Sequence, residues 1–254
     1  MALTVLQAVL LGAIQGPAEL LPVSSSAHTE LLPRLLGWDG YERLTPAERK
    51  SFAVALHAGS LGPLLAIGPR PGPLDALLMA APGALAGLLL ERPIERRLGG
   101  IQATAAGLLA GSAVLLAADL TARRRQRPAL TGRPPRRLLA AVGAAQTLGL
   151  LPGMSRLGAA VSAARLGGLG PHEAIALGRS AGLPLTAGAV ALKAARLRRD
   201  GSSRELRTPL VAGALAAAAG TALAAPLSRR APLRSAALWR AGLAVAALRQ
   251  NVRR

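Results

Sequence analysis

Glu19 is the first residue of the chain that could do chemistry, because it is a carboxylate inside a long apolar stretch. A carboxylate at membrane depth is costly unless it has a partner or a function. Gln15 lies four residues earlier, so a helix would place both side chains on one face, where their oxygens could bind a hard divalent cation. The alternative is that Glu19 lies at a membrane interface and is simply solvated.

Three consecutive hydroxyl groups and an imidazole follow, on Ser24, Ser25, Ser26 and His28. A helix that begins at the serines would direct backbone N–H groups and its positive end toward an anion. Histidine is the side chain best matched to proton transfer near neutral pH. A serine run alone more often caps a helix than attacks a substrate, but the neighbouring Glu19 and His28 favour a catalytic function.

A second polar interruption contains Ser155 and Arg156, with apolar residues on both sides. Arg156 therefore needs an anionic partner, and its planar fork suits two phosphate oxygens; the alternative is an internal salt bridge with Glu19. If both interruptions meet in one cavity, the assembled groups fit metal-assisted or histidine-assisted transfer of a phosphoryl group from a lipid-borne phosphate to water.

The elements that must position these residues are membrane helices. The chain has 254 residues, 51% of them hydrophobic, and residues 1–18, 51–69, 98–118 and 208–228 contain no Asp, Glu, Lys or Arg. Stretches of about 18 to 21 residues match the thickness that a helix must cross. The apolar segments lie at about 2–22, 23–36, 51–68, 74–91, 99–121, 138–151, 153–168, 173–195, 208–227 and 235–249. All are predicted to be helices, which gives an all-α polytopic bundle.

The net charge of +19 comes from arginines that fall mostly in short clusters between the apolar segments. Basic loops beside a membrane explain that placement, so nucleic-acid binding is excluded. Cysteine is absent, which excludes disulfides and thiolate chemistry. We expect nearly every arginine except Arg156 to be a loop residue, and among the twelve acids Glu19 is the one whose position needs an explanation.

The two interruptions resemble each other at an offset of 130 residues, since both contain Leu-Leu-Pro followed by a serine, Ser25 or Ser155. Corresponding broken segments in two halves are typical of repeat-built membrane proteins that have their site at the repeat interface. We predict one membrane domain, 1–254, with halves at about 1–122 and 136–254 joined by the Arg/Pro-rich loop 123–137.

Other polar residues are weaker candidates. His57 could line the same cavity or be a packing histidine. His172 is expected at a helix start. Arg165, Arg179 and Lys193 are expected to reach the membrane surface or the cavity without a catalytic role.

These motifs resemble the integral-membrane undecaprenyl-diphosphate phosphatase family of bacteria. The first family motif corresponds to Gln15-Gly16-Pro17-Ala18-Glu19 and Pro22-Val23-Ser24-Ser25-Ser26-Ala27-His28, and the second to Pro152-Gly153-Met154-Ser155-Arg156. Residues 52–61 and Gln146 also resemble family positions, so the likeness covers most of the chain.

The resemblance implies six spanning helices and two re-entrant helix hairpins in inverted repeats, with a cavity open to the extracytoplasmic side of the bacterial inner membrane. It implies the polyprenyl diphosphate as substrate, and Mg²⁺ or Ca²⁺ held by Gln15 and Glu19. It also implies catalysis by Glu19, Ser25, His28 and Arg156, with substrate binding by Ser24, Ser26, Gly153, Ser155 and Arg156. The attacking group stays open between serine, histidine and water. A homodimer is the assembly considered, although the residues do not set it.

The chain departs from the family where the second motif usually continues Ser-Gly-Ala-Thr, because Leu157 and Ala160 replace two hydroxyl residues. Each lost charge-assisted hydrogen bond would be worth about 1.5–3 kcal/mol. Two alternatives to hydrolysis therefore stay open. One is a transporter or flippase for an anionic lipid, and the other is a homologue that binds lipid phosphate without turnover.

Overall fold

The computed structural model describes residues 3–67, 70–125, 132–200, 204–228 and 232–253, and all the regular structure in these ranges is helical. The helices are α1 (Val5–Leu20), α2 (Ser25–Leu35), α3 (Asp39–Glu42), α4 (Pro46–Ile67), α5 (Pro73–Arg97), α6 (Ile101–Arg124), α7 (Arg136–Ala145), α8 (Arg156–Leu166), α9 (Pro171–Asp200), α10 (Arg204–Ser228) and α11 (Leu233–Arg253). A 3₁₀ turn, Gln146–Leu150, extends α7. The predicted all-α class is confirmed, and every predicted segment corresponds to a helix.

Five helices among the described residues are long and apolar enough to cross a membrane. They are Pro46–Ile67, Pro73–Arg97, Ile101–Arg124, Pro171–Leu192 and Leu206–Ser228. Helix α11 is 21 residues long but carries Arg234, Arg240 and Arg249, which lower its apolar character. The chain is thus a multi-pass membrane protein.

Two breaks separate short helices: residues 21–24 lie between α1 and α2, and residues 151–155 lie between the 3₁₀ turn and α8. Ser24 and Ser155 cap the helices that follow, and they have φ angles of 69° and 65°. They are the non-glycine residues with positive φ in the described chain, a conformation that costs energy for any residue with a Cβ. Both breaks thus have a serine N-cap with positive φ, although these caps are 131 residues apart while the sequence motifs match at an offset of 130. The inverted repeat, its two halves and the re-entrant hairpins stay predictions, and the expected linker 123–137 lies partly outside the described residues.

Helix α1 lies very close to α10 because glycines line the contact. A Cβ on Gly12 would overlap the carbonyl oxygen of Gly213, and one on Gly16 would overlap the backbone nitrogen of Thr221. Small residues allow helix backbones to approach in lipid, where no hydrophobic force drives association. On α4, Gly59 meets α10 in the same way, and α10 therefore holds α1 beside α4.

Two expectations about charge are corrected. Arg165 and Arg240 are buried, with exposures of 7% and 0%, so Arg156 is not the exceptional non-loop arginine. Asp119 is only 1% exposed and forms ion pairs with Arg165 and Arg123, so Glu19 is not the single acid whose position needs explaining. The sequence does not predict the burial of Asp119, because this residue lies at the edge of an uncharged stretch, where the end of a segment is expected.

Candidate active site

Both breaks border one cavity of about 740 Å³. Its polar end contains Glu19 and the serines of the first break, together with Ser155 and Arg156 of the second. Its other end runs between α5 and α9 and is lined mainly by leucine, alanine and glycine. Glu91, Arg92 and Arg179 line the cavity as well. A cavity with polar groups at the breaks and a mainly apolar wall between α5 and α9 suits an amphipathic ligand such as a lipid phosphate.

The Glu19 carboxylate is the centre of the first break. Its Oε1 accepts hydrogen bonds from the Ser25 hydroxyl at 2.5 Å and from Gln15 Nε2 at 2.9 Å. His57 Nδ1 lies 3.0 Å from the same oxygen, and the Glu19 side chain is 9% exposed. A carboxylate at this distance can take the Ser25 proton, so the pair has the geometry of a nucleophile and its base.

His57 belongs to this cluster although its sequence gave only an ambiguous signal. It projects from α4, lines the cavity and keeps 28% of its side chain exposed. Its Nδ1 also lies 3.2 Å from Gln15 Nε2. An imidazole between a carboxylate and open space can pass protons between Glu19 and the cavity.

The second break contributes a cation on the facing wall. Arg156 Nη2 donates to the Thr186 hydroxyl of α9 at 2.6 Å, and no ion pair joins Arg156 to Glu19 within the described residues. Gly149 leaves room for the Arg156 backbone, since a Cβ there would lie 2.5 Å from Arg156 Cβ. The guanidinium is therefore held by a neutral hydroxyl and keeps its charge for an anion.

His28 is placed differently from the other predicted residues. It is 2% exposed, is absent from the cavity wall, and approaches the Ser24 carbonyl oxygen with Nδ1 at 2.8 Å. The Trp239 indole N–H donates to its Nε2 at 2.7 Å, with the two rings 5° from parallel. A carbonyl only accepts and an indole N–H only donates, so Nδ1 carries the proton and His28 is neutral in this arrangement.

The remaining predicted residues divide by position. Ser24 and Ser26 line the cavity, whereas Gln15 and Gly153 do not. Gly153 has a φ of 79°, and a Cβ there would overlap the Thr104 carbonyl oxygen, so this glycine allows the break to pack against α6.

A divalent cation has few protein ligands here. Among the described residues, no group of three or more His, Cys, Asp or Glu side chains could hold a metal ion. Gln15 directs its Nε2 toward Glu19, while its Oε1 is buried without a partner. Mg²⁺ is commonly held by one carboxylate with the substrate's phosphates, so Glu19 fits a cation that arrives with a diphosphate rather than a resident ion.

Sequence reasoning missed Thr186 and Arg240. Thr186 is one hydroxyl in a long apolar helix, and only the fold brings it beside Arg156. The sequence does not single out Arg240, and nearly every arginine except Arg156 is expected in a loop. The position of Arg240 within the predicted apolar segment 235–249, five residues from one end and nine from the other, could have indicated burial.

The fold is that of a polytopic membrane protein, and the cavity contains hydroxyl groups and a guanidinium that suit a phosphate. The chain matches the family model described as bacitracin resistance protein BacA over residues 8–67 and 74–245, and it belongs to that family. It is 35% identical over 232 residues to a Geobacter sulfurreducens protein and 34% identical over 232 residues to one from Chromohalobacter salexigens. These alignments cover 82% and 83% of both chains, and both relatives are named undecaprenyl-diphosphatase.

Proposed function

We propose that the protein hydrolyses undecaprenyl diphosphate to undecaprenyl phosphate and inorganic phosphate. The observation that carries this proposal is the 2.5 Å hydrogen bond from Ser25 to Glu19 in a cavity that also contains Arg156. A nucleophile, its base and an anion-binding cation are thus present together. The names of the family relatives support the same reaction.

In the first step, Ser25 Oγ attacks the terminal phosphorus and its proton passes to Glu19. The bond from that phosphorus to the bridging oxygen breaks, and undecaprenyl phosphate leaves. Water then attacks the phosphoserine and passes a proton to His57, while Ser25 Oγ leaves and recovers its proton from Glu19. His57 then releases its extra proton through the cavity to solvent or to the departing phosphate, which restores the starting state. The sum is one diphosphate and one water converted to two monophosphates.

Arg156 supplies the charge for the phosphoryl oxygens, and its contact with Thr186 fixes the direction of the guanidinium. Such a preorganised cation stabilises charge that develops in the transition state. Ser24, Ser26 and Ser155 line the same cavity and offer further polar groups to the diphosphate.

We assign proton transfer to His57 rather than to His28, because His57 reaches the cavity and Glu19. His28 is engaged at both ring nitrogens with the Ser24 carbonyl and Trp239. His28 therefore acts on the backbone of the first break.

A Mg²⁺ or Ca²⁺ ion bound with the diphosphate would neutralise part of its charge. Glu19 is the residue that would hold it, and the phosphate oxygens would supply most of the other ligands. Gln15 would contribute only through a rotation of its amide that turns Oε1 toward Glu19.

Leu157 and Ala160, which replace two hydroxyl residues of the family motif, are weak evidence for a non-catalytic homologue. Ala160 is fully buried in the apolar core, while Leu157 lines the cavity. One departure therefore lies away from the substrate, and the Ser25, Glu19 and Arg156 set is complete. The transporter alternative is not favoured, because the family relatives carry the name of a phosphatase.

The cellular setting follows from the same proposal. We expect the protein in the bacterial inner membrane, with the cavity open to the extracytoplasmic side, where it recycles the lipid carrier of cell-wall synthesis and confers bacitracin resistance.

Phosphate release from undecaprenyl diphosphate and from farnesyl diphosphate, with and without chelator, tests the proposal on purified protein in detergent. We expect release that depends on divalent cation and is lost in Arg156→Ala and Glu19→Ala. Arg133→Ala and Glu95→Ala are matched controls, since both side chains are largely exposed and lie in ion pairs away from the cavity. Unchanged release in both site variants would overturn the site assignment.

A further inference from the structure

Arg240 of α11 is a fully buried cation that binds backbone carbonyls of both breaks. Its Nη2 donates to the Met154 carbonyl at 2.8 Å and to the Gly153 carbonyl at 3.2 Å, and its Nη1 lies 3.5 Å from the Pro22 carbonyl. No carboxylate lies within ion-pair distance of it in the described ranges. A buried guanidinium is costly, so the carbonyls must repay its desolvation.

The preceding residue, Trp239, acts on the first break through His28. Its indole N–H holds His28 Nε2, and His28 Nδ1–H donates to the Ser24 carbonyl at 2.8 Å. Two consecutive residues of α11 thus contact one carbonyl in each break, directly for Met154 and through His28 for Ser24, whose carbonyl also accepts the His28 backbone N–H at 3.3 Å.

These two carbonyls belong to peptide groups that correspond in the sequence motifs, while the N-cap of the following helix is Ser24 in the first break and Ser155 in the second. The Ser24–Ser25 and Met154–Ser155 peptides are 130 residues apart, the offset at which the two motifs match. In a trans peptide the N–H points opposite to the carbonyl, so fixing the Ser24 and Met154 carbonyls also fixes the N–H groups of Ser25 and Ser155. Neither N–H donates to a backbone or side-chain acceptor in the described residues.

We propose that Trp239 and Arg240 are positioning residues that turn the N–H groups of Ser25 and Ser155 toward the phosphoryl oxygens of a diphosphate in the cavity. This inference rests on the proposed function for its substrate. Backbone N–H groups aimed at developing negative charge stabilise a transition state without reorganising. Their orientation therefore affects kcat more than KM.

Two glycines confirm how closely this arginine is packed. A Cβ on Gly111 of α6 would overlap Arg240 Nη2, and a Cβ on Gly158 of α8 would lie 2.8 Å from Nη1. Three helices thus shape the space for one guanidinium, which fits a requirement for its direction as well as its charge.

The first test compares Arg240→Lys and Arg240→Met with Arg165→Lys. Lysine keeps the charge but lacks the planar fork, so we expect kcat to fall about 10²-fold with little change in KM. Arg165 is the matched control, a buried arginine that pairs with Asp119 outside the cavity wall, and its lysine variant should keep its kcat. A folded Arg240→Met with the kcat of the wild type would overturn the inference.

A second pair of variants tests the inference in case the Arg240 variants do not fold. Gly111→Ala keeps the arginine, but its methyl would overlap Arg240 Nη2 and lie 2.7 Å from the Met154 carbonyl oxygen, so it disturbs their contact. Gly242→Ala adds a methyl to α11 where nothing lies within 4 Å. We expect the kcat loss in Gly111→Ala alone, measured on protein with a cooperative thermal transition. Equal kcat in both variants would contradict the inference.

Binding of orthovanadate together with farnesyl phosphate, an analogue of the phosphoryl-transfer transition state, separates this inference from the proposed function. If the wild type binds the analogue but releases no phosphate from the diphosphate, hydrolysis fails, and weaker binding by Arg240→Met of about tenfold still supports positioning. If the wild type hydrolyses the diphosphate and the variant binds and turns over equally well, positioning fails while hydrolysis stands.

Discussion

One oxygen of Glu19 receives the Ser25 hydroxyl, the Gln15 amide and the His57 imidazole. These three groups around one buried carboxylate oxygen fix its orientation. The same contacts identify which of three consecutive serines can react, because the Ser25 hydroxyl is the one directed at the base. Ser25 is therefore the proposed nucleophile, and Ser24 and Ser26 are its neighbours on the cavity wall.

Ser25→Ala is expected to lower kcat on the order of 10³-fold, because it removes the group that forms the phosphoenzyme. Ser26→Ala is its matched comparison, an exposed hydroxyl next in the chain, and should raise KM more than it lowers kcat. Acid quench and mass spectrometry of the wild type should find phosphate on Ser25. Full turnover by Ser25→Ala would show that water attacks phosphorus directly.

At the scale of elements, neighbouring helices hold the two breaks in place. Helix α1 brings Gln15 and Glu19 to the site only because α10 lets it approach through glycine contacts. The second break packs on α6, where Gly107 would overlap the Pro152 carbonyl oxygen if it carried a Cβ. Each broken segment is therefore supported by a neighbouring helix that has small residues at the contact.

Gly16→Ala is expected to destabilise the protein by about 1–3 kcal/mol, since its methyl would overlap the backbone of α10 and move α1. Gly62→Ala on α4 is the control, because nothing lies within 4 Å of the added carbon and alanine favours a helix by about 1 kcal/mol. Thermal unfolding in detergent compares the two variants. An unchanged transition in Gly16→Ala would contradict the close α1–α10 contact.

For the whole molecule, the cavity joins polar groups at the breaks to a mainly apolar wall between α5 and α9. A lipid diphosphate can thus place its headgroup at the breaks while its chain stays among apolar side chains. This arrangement supports hydrolysis within the membrane and requires no passage of the headgroup from one leaflet to the other.

Reconstituted vesicles distinguish these two activities. With a fluorescent polyprenyl diphosphate in both leaflets, we expect phosphate release without movement of label between leaflets, measured by quenching the outer leaflet. Arg156→Ala vesicles control for leakage and spontaneous exchange. Label movement that is faster than in these controls and that occurs without phosphate release would favour the transporter.

Much of the fold was set by local sequence. Uncharged stretches of membrane length can only be helical in lipid, because backbone groups find no other partners there, and every predicted segment is a helix. The two Leu-Leu-Pro breaks and their serines were also visible, since proline and consecutive hydroxyls interrupt an apolar helix in any context. The sequence thus located both walls of the candidate site.

Only the tertiary structure decided which polar groups share that site. His28 belongs to the first sequence motif, yet it lies outside the cavity wall. His57, for which the sequence left two interpretations open, reaches Glu19 from another helix. Nearly every arginine except Arg156 was expected in a loop, but Arg240 of α11 binds backbone carbonyls of both breaks. Such partners lie up to 218 residues apart in the chain, and no local spacing encodes a contact that depends on how close the helices pack.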